Sequence, residues 1–361
     1  MSRSLTLKKV EGKPGEVYYP LQLKHNPKPV PGPGELLVRI EAAALNHRDH
    51  FQRQHRYPGI SFENPLFGDG CGVVEAAGPQ TSTELIGQRV VITPSRGWDS
   101  APDGPEGGFL TTIGAATATT AGTGQDYIAL PAAEVEVAPP HLSAPEAAAL
   151  PLVGLTAWRA FMTKSGAAEK GKNVLVTGIG GGVALAAMQF AVAVGCNVFV
   201  TSASKEKIER ACAMGAKGGV SYRAADWDKQ LAALLPRSRP YLDAVIDGAG
   251  GDIMARVTRL LKHGGVVSTY GMTLAPRMDW TMPAVMRNIE LRGSTMGSRR
   301  EFRDMVAFVR EHRIRPVVSR VAKGLDNLKE IEELYADIRQ GKQFGKLVIQ
   351  ISGDGKTGAK L

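Results

Sequence analysis

From about residue 172 the chain alternates short apolar runs with longer stretches whose apolar positions recur every three or four residues. Asn173 to Thr177, Asn197 to Thr201, Gly219 to Tyr222, Ala244 to Asp247 and Val266 to Tyr270 read as strands, since they are short, mostly apolar and contain Val in every case. Helical patterns fill the intervals: one running to Val194, then Lys205 to Met214, then Trp227 to Leu235, and a further one between the last two strands. That succession predicts a doubly wound parallel sheet.

The first third reads differently. Glu35 to Ala44, Arg89 to Ile92, Tyr127 to Leu130 and Glu134 to Val137 are strand-like and separated by Pro and Gly, with no long helical period among them, which predicts a small β-rich domain. Residues 93 to 126 are rich in Gly, Ala, Thr and Pro, and are either a functional flap or a partly mobile segment. After Gly293 the period is helical again: Phe302, Met305, Val306 and Val309 share one face, a second helix starts behind Asp326 and stops at Gly341, and a last strand covers Lys346 to Ile351.

A length of 361 residues with 43% hydrophobic content suits two medium domains better than one small core. The longest apolar stretch, Gly182 to Thr201, is broken at Gly195-Cys196-Asn197, so it reads as helix then strand and not as a membrane span. Residues 1 to 20 hold no apolar core behind a basic start, so the expectation is a soluble, cytoplasmic protein. The ending Ala359-Lys360-Leu361 differs by one small residue from the peroxisomal address Ser-Lys-Leu, which makes a peroxisomal destination the alternative in a eukaryote. A net charge of +9 raises nucleic acid as a partner, but the basic residues are scattered, so neither nucleic acid nor membrane is expected; the positive field instead favours an anionic ligand such as a phosphorylated cofactor. Cys71, Cys196 and Cys212 lack paired spacing and predict neither disulfide nor zinc knuckle.

The strongest local signal is VLVTGIGGGVALAAMQFAVAVG, residues 174 to 195. A buried strand turns through Gly178, Gly180, Gly181 and Gly182 into a helix opening at Val183, where backbone amides and the helix dipole can meet a pyrophosphate. The next strand ends in VFVTSASKEK, where Ser202, Ser204 and Lys205 supply hydroxyls and a cation in place of the carboxylate that would hold a ribose 2′-hydroxyl; this predicts NADPH. The serines also read as helix caps, and Tyr222 either closes over the adenosine phosphate or is a buried structural ring.

PLFGDGCGVVE, residues 65 to 75, places Asp69 and Cys71 in what reads as a tight glycine corner. Together with ALNHRDH (44 to 50), APEAAALPLVGLTAWRAF (144 to 161), the glycine loop and the closing GKLVIQI, it resembles the medium-chain dehydrogenase/reductase superfamily over nearly the whole chain, and is most similar to its zinc-free quinone oxidoreductase and enoyl reductase branches. The resemblance implies an α/β protein: a GroES-like β-rich catalytic domain over residues 1–153, a Rossmann NADPH-binding domain over 154–295, and a return to the catalytic domain over 296–361. Positions that carry zinc ligands in metal-dependent relatives are here Asn46, Gly68 and Leu152, so no metal is expected.

It further implies roles for single residues, each with a plainer alternative. Asn46 donates to the acceptor oxygen or only ties its loop; Thr156 packs on the nicotinamide or within its helix; Tyr57 and Tyr127 are proton donors or packed aromatics. His47 lies near the pyrophosphate, Gly271 and the Ser294-Thr295-Met296-Gly297 turn clasp the carboxamide, and Lys346 approaches the cofactor or is a surface lysine. Without a Lewis acid, hydride transfer suits an acceptor that is already electron-poor, which predicts an NADPH-dependent reductase of quinones or activated C=C bonds acting on a small electrophilic substrate. The alternatives are a zinc-free alcohol or ketone oxidoreductase, an enoyl reductase acting on carrier-bound thioesters, and a non-catalytic NADPH-binding structural or regulatory protein. Resemblance also implies a homodimer through edge-to-edge extension of the Rossmann sheet.

Overall fold

A computed structural model describes residues 1–352; the Ala359-Lys360-Leu361 ending lies outside the described residues. The described residues divide into two units, residues 1–152 with 298–352, and residues 153–297.

In the first unit the strand Glu35–Ala44 is central, with Lys346–Gln350 on one side and Asp69–Ala77 on the other. Tyr127–Pro131 also pairs with it, and Val318–Lys323, Arg89–Ile92 and Val135–Val137 complete a seven-stranded sheet. Leu36, Val38 and Ile40 alternate along it and are buried on one face, Ala42 to Ala44 are buried at its end, and the buried Glu41 between them is paired with Arg89. Asp69 and Cys71 are therefore not in a turn: they open a bulged strand, and a Cβ at Gly72 would lie 2.2 Å from the Arg39 carbonyl, so only glycine lets the two backbones approach there. Cys71 is buried and donates its thiol to the Ala144 carbonyl at 3.0 Å, and burial pushes the thiol pKa upward, which makes it a packing residue.

Residues 93–126 are tethered. The Glu106 carboxylate accepts the backbone N–H groups of Asp99, Ser100 and Ala101 at 2.8, 2.7 and 2.8 Å, and these amides hold its pKa down to about 2. Farther along, the carbonyls of Ile113 and Gly114 accept the Arg48 guanidinium, each at 2.9 Å.

The second unit is a six-stranded parallel sheet in the order Gly218–Ser221, Asn197–Ser202, Asn173–Val176, Leu242–Asp247, Leu261–Thr269, Glu290–Gly293. Strand order reverses between Asn173–Val176 and Leu242–Asp247, and ligands of such sheets bind at the carboxyl ends beside that reversal. Helix Gly182–Val194 follows the first strand and stops at Gly195, whose φ of 90° only glycine takes without strain. Among the described residues no helix is long and apolar enough to cross a membrane.

Candidate active site

Three polar side chains meet where the central strand of the first unit ends. Val348 pairs with Ala44 in antiparallel register, which carries Lys346 opposite residue 46, while Asp69 pairs with Ala44 from the other side. Lys346 Nζ donates to the Leu45 carbonyl at 2.7 Å, Asn46 Oδ1 at 2.6 Å and Asp69 Oδ2 at 2.7 Å. Asn46 Nδ2 donates to the same Asp69 Oδ2 at 2.8 Å, and Asp69 Oδ1 accepts the Leu152 N–H at 2.6 Å. All three are buried. A buried ion pair survives only when its remaining donors and acceptors are satisfied, and here the ammonium has used all three N–H groups.

One expectation changes as a result. Lys346 is neither a surface residue nor available to a cofactor, because its donors are all taken within the first unit. Asn46 is tied to its neighbours through one N–H and its oxygen. Gly68 and Leu152 supply no side-chain ligand, and a cluster of one carboxylate, one carboxamide and one ammonium does not fit zinc; among the described residues no three His, Cys, Asp or Glu side chains converge to hold a metal.

The helix His47–Arg53 leaves from this cluster, its Asn46 N–H held by the Asp49 carboxylate at 2.7 Å. His47 is exposed at the helix start. Tyr57 lies against the same helix, with the Arg48 guanidinium 5.0 Å from its ring. Tyr127 does not join: it pairs with Arg39, five positions before Ala44 and so about 17 Å away along the strand, with the Lys28 ammonium 4.2 Å over its ring. Its expected role as proton donor is corrected to an aromatic platform for Lys28.

His50, buried one turn farther on, has its pKa lowered to about 4 by burial and by the charges of Arg339, His47, Arg53 and Arg56; its Nδ1 is 3.2 Å from the Tyr18 hydroxyl. The folded state thus binds fewer protons than the unfolded chain between pH 6.5 and about 4, and stability falls as pH drops through that window. Asp49, raised to about 6 by burial, works in the opposite direction because its folded form keeps a proton longer. Thermal unfolding of wild type and His50→Gln as a function of pH is expected to show a shallower acid loss in the variant, with Asp49 cancelling from the difference; parallel curves would refute it.

In the second unit the glycine turn is open. Gly178 and Gly180 have φ of 65° and 128°, and nothing lies within 4 Å of a Cβ built on Gly178. Gly181 precedes the first helical turn at Gly182 and Val183, whose amides have no intrahelical acceptor. The Gly178 and Ile179 amides are used by Thr201, at 3.2 Å to Oγ1 and 2.8 Å to the carbonyl, and this fixes the turn to the next strand. A Cβ on Gly180 would stand 2.9 Å from Lys207 Cδ, so the cation beside this turn is Lys207, its pKa lowered by burial. Lys205, expected at the 2′-phosphate, is a surface residue 91% exposed and paired with Glu209 at 3.5 Å. It sits at the first position of helix Lys205–Ala213, whereas Lys207 is placed to reach back.

Ser204 Oγ accepts the Lys207 N–H at 3.3 Å and so caps the helix, while Ser202 Oγ accepts the Ser204 N–H at 3.2 Å in the turn before it; the O–H groups of both stay available to donate. Tyr222, 43% exposed, is not a buried structural ring. Thr156 and Met296 meet, with Oγ1 3.6 Å from Sδ, and Met296 holds a φ of 44° that a non-glycine residue rarely adopts. Thr295 beside it is exposed, and the buried Ser294 Oγ has no partner. Gly271 lies near the Gly248 carbonyl. An orphan hydroxyl, an open glycine turn and uncommitted helix-start amides together fit a dinucleotide.

One further residue carries this end of the sheet. Asp247 accepts from Thr177 Oγ1 at 2.6 Å and the Gly250 N–H at 2.9 Å, and Thr269 Oγ1 approaches at 3.4 Å, stitching three strand ends together. The DGAGG run that follows its strand was the available signal.

A Rossmann-type parallel sheet with a glycine turn, accompanied by a GroES-like β unit, defines a dinucleotide-dependent oxidoreductase. Residues 32–140 match the alcohol dehydrogenase GroES-like domain family and residues 182–311 the zinc-binding dehydrogenase family. The zinc-type alcohol dehydrogenase-like protein YogA of Leptosphaeria maculans is 54% identical over 97% of this chain and 100% of its own. A solved NAD-dependent alcohol dehydrogenase is 32% identical with a TM-score of 0.82, covering 97% of this chain and 100% of that one. Crotonyl-CoA carboxylase/reductase AntE in complex with NADP, at 21% identity and TM-score 0.79 over 97% and 94% of the two chains, shares the fold. The chain belongs to the medium-chain dehydrogenase/reductase superfamily and is an oxidoreductase of its zinc-type alcohol dehydrogenase-like group.

Proposed function

We propose that the protein reduces quinones or α,β-unsaturated carbonyl compounds with NADPH, without a metal. The observation that carries this reading is the Lys346-Asn46-Asp69 cluster, which presents a hydrogen-bond donor where a Lewis acid would need ligands. The dinucleotide, when bound, supplies hydride from its reduced nicotinamide. Hydride adding to the β-carbon of an enone moves the π pair onto the carbonyl oxygen. Asn46 donates to that oxygen while the charge is present, and a proton from solvent then completes the saturated product. The amides of Gly182 and Val183 would hold the pyrophosphate, with Gly178 and Gly180 leaving room for it, and Thr156 and Met296 would pack the nicotinamide.

Preference for the 2′-phosphate rests on Lys207, Ser202 and Ser204, with Tyr222 at the next strand end, and on the lack of a carboxylate among these residues. Lys207→Ala is expected to weaken NADPH binding about 10- to 100-fold and NADH binding by less, since Lys207 also stands beside Gly180 of the turn. Fluorescence titration with both dinucleotides measures it, and equal losses for the two would refute the assignment. Steady-state assays against a quinone, an enone and a simple ketone, with elemental analysis for zinc, test the reaction; turnover of the ketone alone, or zinc whose removal stops turnover, would overturn it. The names of the alcohol dehydrogenase relatives favour that second reading, a ketone or alcohol oxidoreductase.

A homodimer belongs to the same reading. Glu290–Gly293 is an edge strand with Leu291 exposed, and Leu274, Trp280, Met282 and Met286 nearby in sequence are exposed as well. Light scattering is expected to give twice the chain mass; a monomer at micromolar concentration would remove the proposal.

A further inference from the structure

Asn46 is held between a cation and an anion. Its Oδ1 is 2.6 Å from Lys346 Nζ and its Nδ2 is 2.8 Å from Asp69 Oδ2. Turning the carboxamide over would place its NH₂ against the ammonium and its oxygen against the carboxylate, so this network allows a single orientation. The remaining partners are spoken for: Lys346 also serves Leu45 and Asp69, and Asp69 Oδ1 serves Leu152. One donor of the cluster is unspent, the second hydrogen on Asn46 Nδ2, which has no acceptor among the described residues.

We propose that Lys346 is a positioning residue that locks the Asn46 carboxamide so that its second N–H, and not its oxygen, meets the substrate oxygen on which negative charge develops. The inference rests on the reductase reading above and deepens it: the favoured acceptors are those that concentrate charge on one carbonyl or quinone oxygen. Freed from the lock, the amide would populate the flipped orientation, whose oxygen lone pair repels that charge. The ammonium also draws electron density from Oδ1 and so strengthens the opposite N–H as a donor.

The test uses the full chain with NADPH, 1,4-naphthoquinone and cyclohex-2-enone, and four variants: Asn46→Ala, Lys346→Met, the two combined, and Lys346→Met with Asp69→Asn. The last removes both buried charges together, so it is expected to fold, to melt near the wild type and to bind NADPH with unchanged Kd. Its kcat is expected to fall about 10- to 100-fold with little change in KM for the acceptor. Combining Lys346→Met with Asn46→Ala should be no slower than Asn46→Ala alone, since the lock acts through the amide. Recovery of kcat in the charge-neutral pair, or losses that multiply in the combined variant, would overturn the lock while leaving the reductase reading intact. A wild type inactive on both acceptors would instead overturn the reductase reading, and with it the substrate role given to Asn46.

Discussion

Glu332→Ala is expected to lower the stability of the first unit by about 3 kcal/mol, although Glu332 is itself partly exposed. The reason is its partner. Arg53 is 2% exposed, and its guanidinium makes a two-pronged contact with Glu332 at 2.8 and 2.6 Å, with Nε donating to the Tyr19 carbonyl at 2.8 Å. The rings of Tyr18 and Tyr335 cover the same guanidinium at 4.1 and 4.5 Å. Removing the carboxylate leaves a mostly buried cation that cannot lose its proton and has no counter-ion, so the loss reflects an unpaired buried charge and not a surface salt bridge, which would be worth about 1 kcal/mol or less. Thermal unfolding should show a drop of roughly 6 to 12 °C. Glu332→Gln should fall between, and a shift within a degree of wild type would contradict the account.

Asn46→Ala carries the largest expected effect on rate. Removing one donor to a developing oxyanion typically costs about 100-fold or more in kcat, and that is the loss anticipated with an enone or quinone acceptor. The glycine turn lies in the other unit and does not involve Asn46, so the NADPH dissociation constant should hold. Stopped-flow reduction under saturating NADPH gives the rate and titration gives the affinity. A variant with full kcat would remove Asn46 from the chemistry, and one that loses cofactor affinity in proportion to rate would make it a binding residue.

How far the sequence could be read depends on the range of each signal. Strand and helix positions in the second unit were legible because period and punctuation are local: the glycine turn, the Val194-Gly195 stop and the run of five strands all follow from residues close in the chain. The same locality located the Glu35–Ala44 strand from its apolar run. Pairing was not legible. Asp69 and Lys346 are 277 residues apart, and only the register of two strands with a third joins them, so no spacing rule could show that Lys346 is buried and committed. Asp69 and Cys71 were misplaced in a turn because three nearby glycines signal a corner, whereas Gly72 serves a close crossing of strands. Lys205 stands out in the sequence because it follows Ser202 and Ser204 directly, but direction along the first helical turn decides that Lys207 is the side chain that reaches back to Gly180. Tyr127 shows the reverse error: an aromatic with a hydroxyl looks catalytic in one dimension, and strand register removes it.

The discontinuous first unit has a consequence for assembly. Residues 153–297 form their sheet from one uninterrupted stretch and need nothing from either flank to pair their strands. The acid at position 69, by contrast, has no counter-ion until the strand bearing Lys346 is laid beside Glu35–Ala44, after a closure spanning most of the polypeptide. The register of that strand against Glu35–Ala44 is thus what delivers the cation to the buried acid, and a slip of one residue would turn the lysine to the opposite face of the sheet.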